Sequence, residues 1–160
     1  DGASGTGAVI TVAGETSPNG GNGVAKYLTK KVVLDQGFDS GDLRVYFTAY
    51  RPVNTNIYVY YKVLSRNDTQ QFDNGNWQLM TQVTNANVYS STRTDLMEFE
   101  YAPGTGGQAD NQISYISNNG QIYTSFSQFA IKIVLATNDN TQVPFVDDIR
   151  ALALPSGTGI

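Results

Sequence analysis

The stretch QVPFVDDIRALALP, residues 142–155, sets Asp147 and Asp148 side by side in an apolar run, with Arg150 two positions on. Adjacent carboxylates raise three readings: a catalytic acid pair, a metal site, or a strand that carries charge. Neighbouring side chains of a strand leave on opposite faces. Asp147 and Asp148 therefore do not converge on one glycosidic bond, as a two-acid hydrolase requires. Asp148 and Arg150 share a face, so the plain reading is solvated strand charge with a local ion pair.

Other carboxylates invite similar tests. DQGFDSGD holds Asp35, Asp39 and Asp42 among glycines, and loop carboxylates can wrap Ca²⁺, which takes six to eight oxygens. The spacing is not that of an EF-hand loop, and Asx turns explain the same residues without an ion. These three are a weak Ca²⁺ candidate; NDNTQ, residues 138–142, is weaker still. Glu98 and Glu100 alternate with Met97 and Phe99 and read as a charged outer strand face. A hydrolase built from acids on different strands is conceivable among fourteen acidic residues, but spacing places no pair. The glycine stretches DGASGTGAV and PGTGGQAD lack the Lys-Ser/Thr and the strand–loop–helix setting of a phosphate loop. Tyr46, Tyr58 and Tyr60 fall on the expected outer face of neighbouring strands, and Trp77 follows a polar loop. Such rings could form a glycan-stacking surface or a subunit interface. They also fit ordinary cross-strand pairing of residues with high β-propensity.

Composition narrows the chemistry further. The chain of 160 residues has no His and no Cys. That removes Ser-His-Asp triads, His-ligated zinc, thiolate metal sites and disulfides. The net charge is −4, with ten basic residues dispersed among fourteen acidic ones, so a nucleic-acid footprint is not expected. No apolar run approaches the roughly 20 residues of a membrane-spanning helix. Neither a cofactor nor a membrane partner is expected. The first residue is Asp1, with no Met and no signal-peptide pattern; this reads as a fragment of a longer protein or a processed chain.

The elements that must position these residues are strands. Residues 1–25 are rich in Gly and small polar residues and read as a flexible leader, linker or arm, with one short strand at AVITVAG, residues 8–14. A single folded domain is expected over 26–155, followed by a tail at 156–160. KYLTKKVVL is a strand candidate. In LRVYFTAY, Leu43, Val45, Phe47 and Ala49 alternate with Arg44, Tyr46, Thr48 and Tyr50, the period of a half-buried strand. IYVYYKVL repeats the pattern, with Ile57, Val59, Tyr61 and Val63 on one face and Tyr58, Tyr60 and Lys62 on the other. A hairpin through RPVNTN is expected to join these two strands. Short strands follow at WQLMTQV and LMEFEYA. ISYI and QIYTSF read as a hairpin about Asn-Gly, the preferred two-residue turn. FAIKIVLAT aligns Phe129, Ile131, Ile133 and Leu135. In the last strand, Val146, Leu152 and Leu154 should share a face with Asp148 and Arg150, while Phe145, Ile149, Ala151 and Ala153 share one with Asp147. Eight to ten short strands without helical periodicity predict an all-β, two-sheet antiparallel sandwich, jelly-roll-like.

The strings LTKKVVL…GFDSGDLRVYFTAYRP, NIYVYYK and VPFVDDIRALALP together resemble a domain of large structural proteins in T4-like marine tailed phages, cyanophages among them. The resemblance spans roughly residues 26–155. It implies a virion component of the tail, baseplate or fibre apparatus that packs against other virion subunits or further copies of itself. A host-surface glycan is the partner under the alternative of a carbohydrate- or receptor-binding module. No enzymatic motif travels with these strings, so the resemblance implies no catalytic residue.

Overall fold

The computed structural model describes residues 14–18, 20–21, 25–84, 88–104, 109–110, 112–138 and 141–154. Most of the expected strand at 8–14 and the tail at 156–160 lie outside them. In chain order the strands are β1 (Ala25–Leu28), β2 (Val32–Val33), β3 (Asp42–Tyr50), β4 (Thr55–Leu64), β5 (Gln78–Leu79), β6 (Thr81–Gln82), β7 (Met97–Ala102), β8 (Tyr115–Ile116), β9 (Ile122–Tyr123), β10 (Gln128–Thr137) and β11 (Phe145–Leu154). A single 3-10 turn at Phe72–Asn74 is the only helical element among the described residues. One sheet runs β1-β10-β4-β5, with β2 also paired to β10; the other runs β11-β3-β7-β6; β8 and β9 form a separate hairpin. All these pairings are antiparallel. The all-β sandwich expected from the sequence is present. The chain passes repeatedly from one sheet to the other between its long strands.

The core lies between the sheets and follows the period-two pattern. Leu43, Val45, Phe47 and Ala49 of β3 face Ile57, Val59, Tyr61 and Val63 of β4 and Phe129, Ile131 and Ile133 of β10 in one buried cluster. Phe47 stacks on both Phe99 and Tyr101, with ring centres 5.5 Å apart in each pair. The Tyr101 hydroxyl donates to the Ile57 carbonyl at 3.0 Å, tying β7 to β4 across the sandwich. A buried hydroxyl needs such an acceptor, because a lost buried bond costs about 1–3 kcal/mol.

The expected β3–β4 hairpin is not formed. β3 pairs with β11 and β7, and β4 pairs with β10 and β5, so residues 51–54 arch between sheets. A short turn fits either geometry. What decides is pairing length, since β10 matches all ten residues of β4. The arch is fixed by the buried Arg51, whose Nε donates to the Thr55 carbonyl and Nη2 to Asn56 Oδ1. Asn54 takes the left-handed conformation at φ 67°, which Asn tolerates better than most residues.

Three further expectations are corrected in detail. KYLTKKVVL is split into β1 and β2, joined by exposed Lys30 and Lys31. The β8–β9 hairpin forms, but through a three-residue loop. Gly120 N–H donates to the Ser117 carbonyl, Ser117 N–H to the Gln121 carbonyl, and Gly120 sits at φ 85°. WQLMTQV changes sheet midway: the buried Met80 lies between β5 on one sheet and β6 on the other, closing that side of the sandwich.

A fifth correction concerns Asp147 and Asp148. Asp147 is opposite Thr48 and Arg150 opposite Tyr46, so Asp148 and Ile149 share one position against Phe47. This β-bulge reverses the alternation beyond it. Val146 packs on the core with Ile149, Ala151 and Ala153, whereas Leu152 and Leu154 point outward. Asp148 adopts φ 52°, and its N–H donates to Asp147 Oδ1 at 2.9 Å. Asp and Asn visit this left-handed region readily; a β-branched residue does not. Asp147→Asn and Asp148→Asn should each change stability by less than about 1 kcal/mol, as exposed sites do. Asp148→Val should cost about 1–2 kcal/mol. Urea denaturation checks both.

Buried tyrosines give the fold an alkaline limit. Burial, with Asp110 adding to it, pushes the Tyr61 hydroxyl up to about 12. Burial also raises Tyr101, partly offset by Arg51, and raises Tyr115, with Asp68 adding to it. A phenol whose folded value is raised stabilises the fold below its ordinary value of 10.0 and loses that contribution as pH climbs through the folded value. Tyr101→Phe should lower stability by about 1 kcal/mol at neutral pH through the lost bond to Ile57. It should also flatten the fall in urea midpoint above pH 10, read alongside phenolate absorbance.

Candidate functional site: a lysine-lined cleft on the outer sheet face

Strand register assembles an unusual outer face on the β1-β10-β4-β5 sheet. Lys62 of β4 is opposite Ala130 of β10, Tyr60 opposite Lys132, and Tyr58 opposite Val134. On the other side of β10, Lys132 meets Leu28 and Val134 meets Lys26 of β1. Directly opposed residues share a face, so Lys26, Lys62 and Lys132 all point away from the main core. This face is covered, not solvated: Tyr60, Trp77, Ala130 and Val134 form a second buried cluster, joined by Tyr58 and Phe72.

Part of the cover comes from the segment read as a flexible leader. Thr16 accepts a backbone bond from Trp77 N–H at 2.9 Å, Ser17 N–H donates to the Gly14 carbonyl, and Gly20 N–H donates to the Ser17 carbonyl. Glu15 is 2% exposed. Its carboxylate lies 2.8 Å from Lys132 Nζ and 3.0 Å from Lys26 Nζ, and its carbonyl accepts from Lys132 at 2.7 Å. Burial pushes the Lys132 ammonium down, and the bond to Glu15 draws it back up. An ion pair this dry survives because each charge is paired and hydrogen-bonded.

Beside this clamp lies a cleft of about 440 Å³, lined by Lys26, Lys31, Lys62 and Lys132 together with Phe72 and Trp77. Four of the five lysines in an acidic chain therefore share one cleft. Three of the four ammonium groups lie over aromatic rings. Lys62 and Lys132 each sit 4.9 Å from the Trp77 centre, Lys132 also lies 5.1 Å from Tyr60, and Lys31 and Lys62 each lie 5.7 Å from Phe72. Such contacts stabilise a cation most when water is excluded. Lys62 is only 4% exposed, yet no acceptor reaches its Nζ among the described residues. Burial lowers its pKa, and the nearby Asp73 partly opposes that.

The residues singled out by sequence are mostly dispersed. Tyr46 is on β3 of the opposite sheet, its hydroxyl 3.4 Å from Glu100, so it shares no surface with Tyr58 and Tyr60 of β4. Trp77 and Tyr60 are buried, and their rings face lysines. Asp39 pairs with Arg66 and Asp42 with Arg44, while the Asp35 carbonyl accepts from Arg66. No group of three or more metal-ligating side chains occurs among the described residues. Arg150 pairs with Asp148 at 3.6 Å and with Glu98 at 3.4 Å, all exposed, and Glu100 pairs with Arg44. Four surface clefts lined by described residues hold at most one carboxylate each.

Sequence reading missed the lysine cleft and Glu15. One signal was available. On β10 the outward positions Ala130, Lys132 and Val134 are largely apolar, which an exposed face would not favour. Glu15 carried none, being 117 residues from Lys132.

No protein-family model, curated protein or solved structure matches this chain.

Removing one member of the buried pair should be far costlier than removing both. Glu15→Ala should destabilise by about 3–5 kcal/mol by stranding Lys132, whereas Glu15→Leu combined with Lys132→Met should recover most of that loss. Urea denaturation of the two variants reads the difference.

Proposed function

We propose that this chain is a non-enzymatic structural module of a tailed-phage virion, in the tail, baseplate or fibre apparatus, acting by packing against other subunits. The observation that carries the reading is an apolar sheet edge. Tyr27, Leu28, Val32 and Val33 on β1 and β2, with Phe38 in the following turn, are each between 41% and 70% exposed. Exposed apolar residues gathered on one edge mark an interaction surface more often than bare solvent-facing protein. Lys30 and Lys31 interrupt the run, as charges do on edges that must not pair indiscriminately.

The resemblance supports the same reading: the strings that resemble phage structural domains include β2, β3, β4 and β11.

Cross-linking mass spectrometry on purified particles of a phage encoding this chain is the test. The chain should be present, and Lys30 should link to another subunit or to a second copy. Particles lacking the chain overturn the proposal.

A further inference from the structure

The cleft beside Glu15 holds a charge imbalance. Four lysines meet the carboxylates of Glu15 and Asp73, leaving a surplus of two positive charges in a chain whose net charge is −4. Lys132 and Lys26 are both paired to Glu15. Among the described residues no carboxylate pairs with Lys62. An ammonium has three N–H donors and no acceptor capacity, and Lys62, 4% exposed as a residue, turns its Nζ toward the open cleft. The Trp77 and Phe72 rings offset part of the cost of its burial without accepting a full hydrogen bond. Lys31, exposed at the rim, adds a second positive charge over the same Phe72 ring.

We infer that this cleft is an anion-binding site that takes a carboxylate from an acidic peptide segment of a partner subunit, seated between Lys62 and Lys31. The peptide source rests on the assembly role proposed above; the anion chemistry rests on the cleft itself. Two features favour a peptide over a sugar acid. The cleft adjoins the apolar edge, sharing Leu28 and Lys31 with it, so a segment with apolar residues beside its carboxylate covers both. The Trp77 ring is buried, and the Phe72 ring already carries two ammonium groups, which compete with a pyranose for stacking. A carboxylate hydrogen-bonded to Lys62 forms a charge-assisted bond, roughly twice as strong as one between neutral groups.

The test is calorimetric titration of the full chain with triglutamate and, separately, with digalacturonate at equal ionic strength. Lys62→Met and Lys30→Met are compared with the unaltered protein; Lys30 is the one lysine outside the cleft. Triglutamate should bind the unaltered protein and Lys30→Met alike and lose at least tenfold in affinity with Lys62→Met. Digalacturonate should bind more weakly throughout. In parallel, the Lys62 ammonium resonance of the unaltered protein should shift on adding triglutamate, a reading that does not depend on any variant folding. No binding, equal loss in both variants, an unmoved Lys62 resonance, or tighter binding of digalacturonate would each overturn the inference. The presence of the chain in purified particles is decided separately, so the assembly role can stand while this site fails.

Discussion

The ten-residue pairing of β10 with β4 is the constraint on which the rest of the structure depends. These two strands form the middle of their sheet, and both of its faces are covered. Inward, they supply Ile57, Val59, Tyr61, Val63, Phe129, Ile131 and Ile133 to the core. Outward, they supply Tyr60, Ala130 and Val134 to the second cluster. A strand buried on both faces cannot hide a lysine without a counter-charge, yet each of these strands carries one. Glu15 answers Lys132 directly, and aromatic rings answer Lys62 in part. The covering segment, the cleft and its positive potential all follow from that placement.

Charge elsewhere has a different character. Arg150, Glu98 and Asp148 are all exposed, and exposed pairs of this kind contribute roughly 0–1 kcal/mol each. They decorate the outer face of the opposite sheet without ordering it. The two sheets thus differ: one outer face is solvated and charged, and the other is roofed. The roofed face meets the exposed apolar edge at Leu28, so the features suited to contact with other molecules lie on one side.

Much of the fold was legible because strand burial has a period of two. The inward faces of β3, β4 and β10 read directly from Leu43 to Ala49, Ile57 to Val63 and Phe129 to Ile133. Sheet membership was not legible, since RPVN can close a hairpin or arch between sheets with equal ease. The bulge at Asp148 was equally hidden. One residue in the left-handed region reversed the parity of everything after it, and neither charge nor hydropathy announces that. The site was the least legible part. It depends on Glu15 reaching a strand 117 residues away, and local pattern carries no information about such a partner. The apolar outward positions of β10 said only that something must cover them.

The Glu15 clamp also bears on mechanics. Tension applied to the chain at Gly14 would act on Glu15 and its two lysines, near the centre of a sheet, before it reached the end of β1. The load would therefore act on a dry ionic contact before it could peel β1 from β10 one hydrogen bond at a time. A module held in this way should yield abruptly under force, with the resistance concentrated in the Glu15 contacts and the neighbouring Trp77–Thr16 backbone bond.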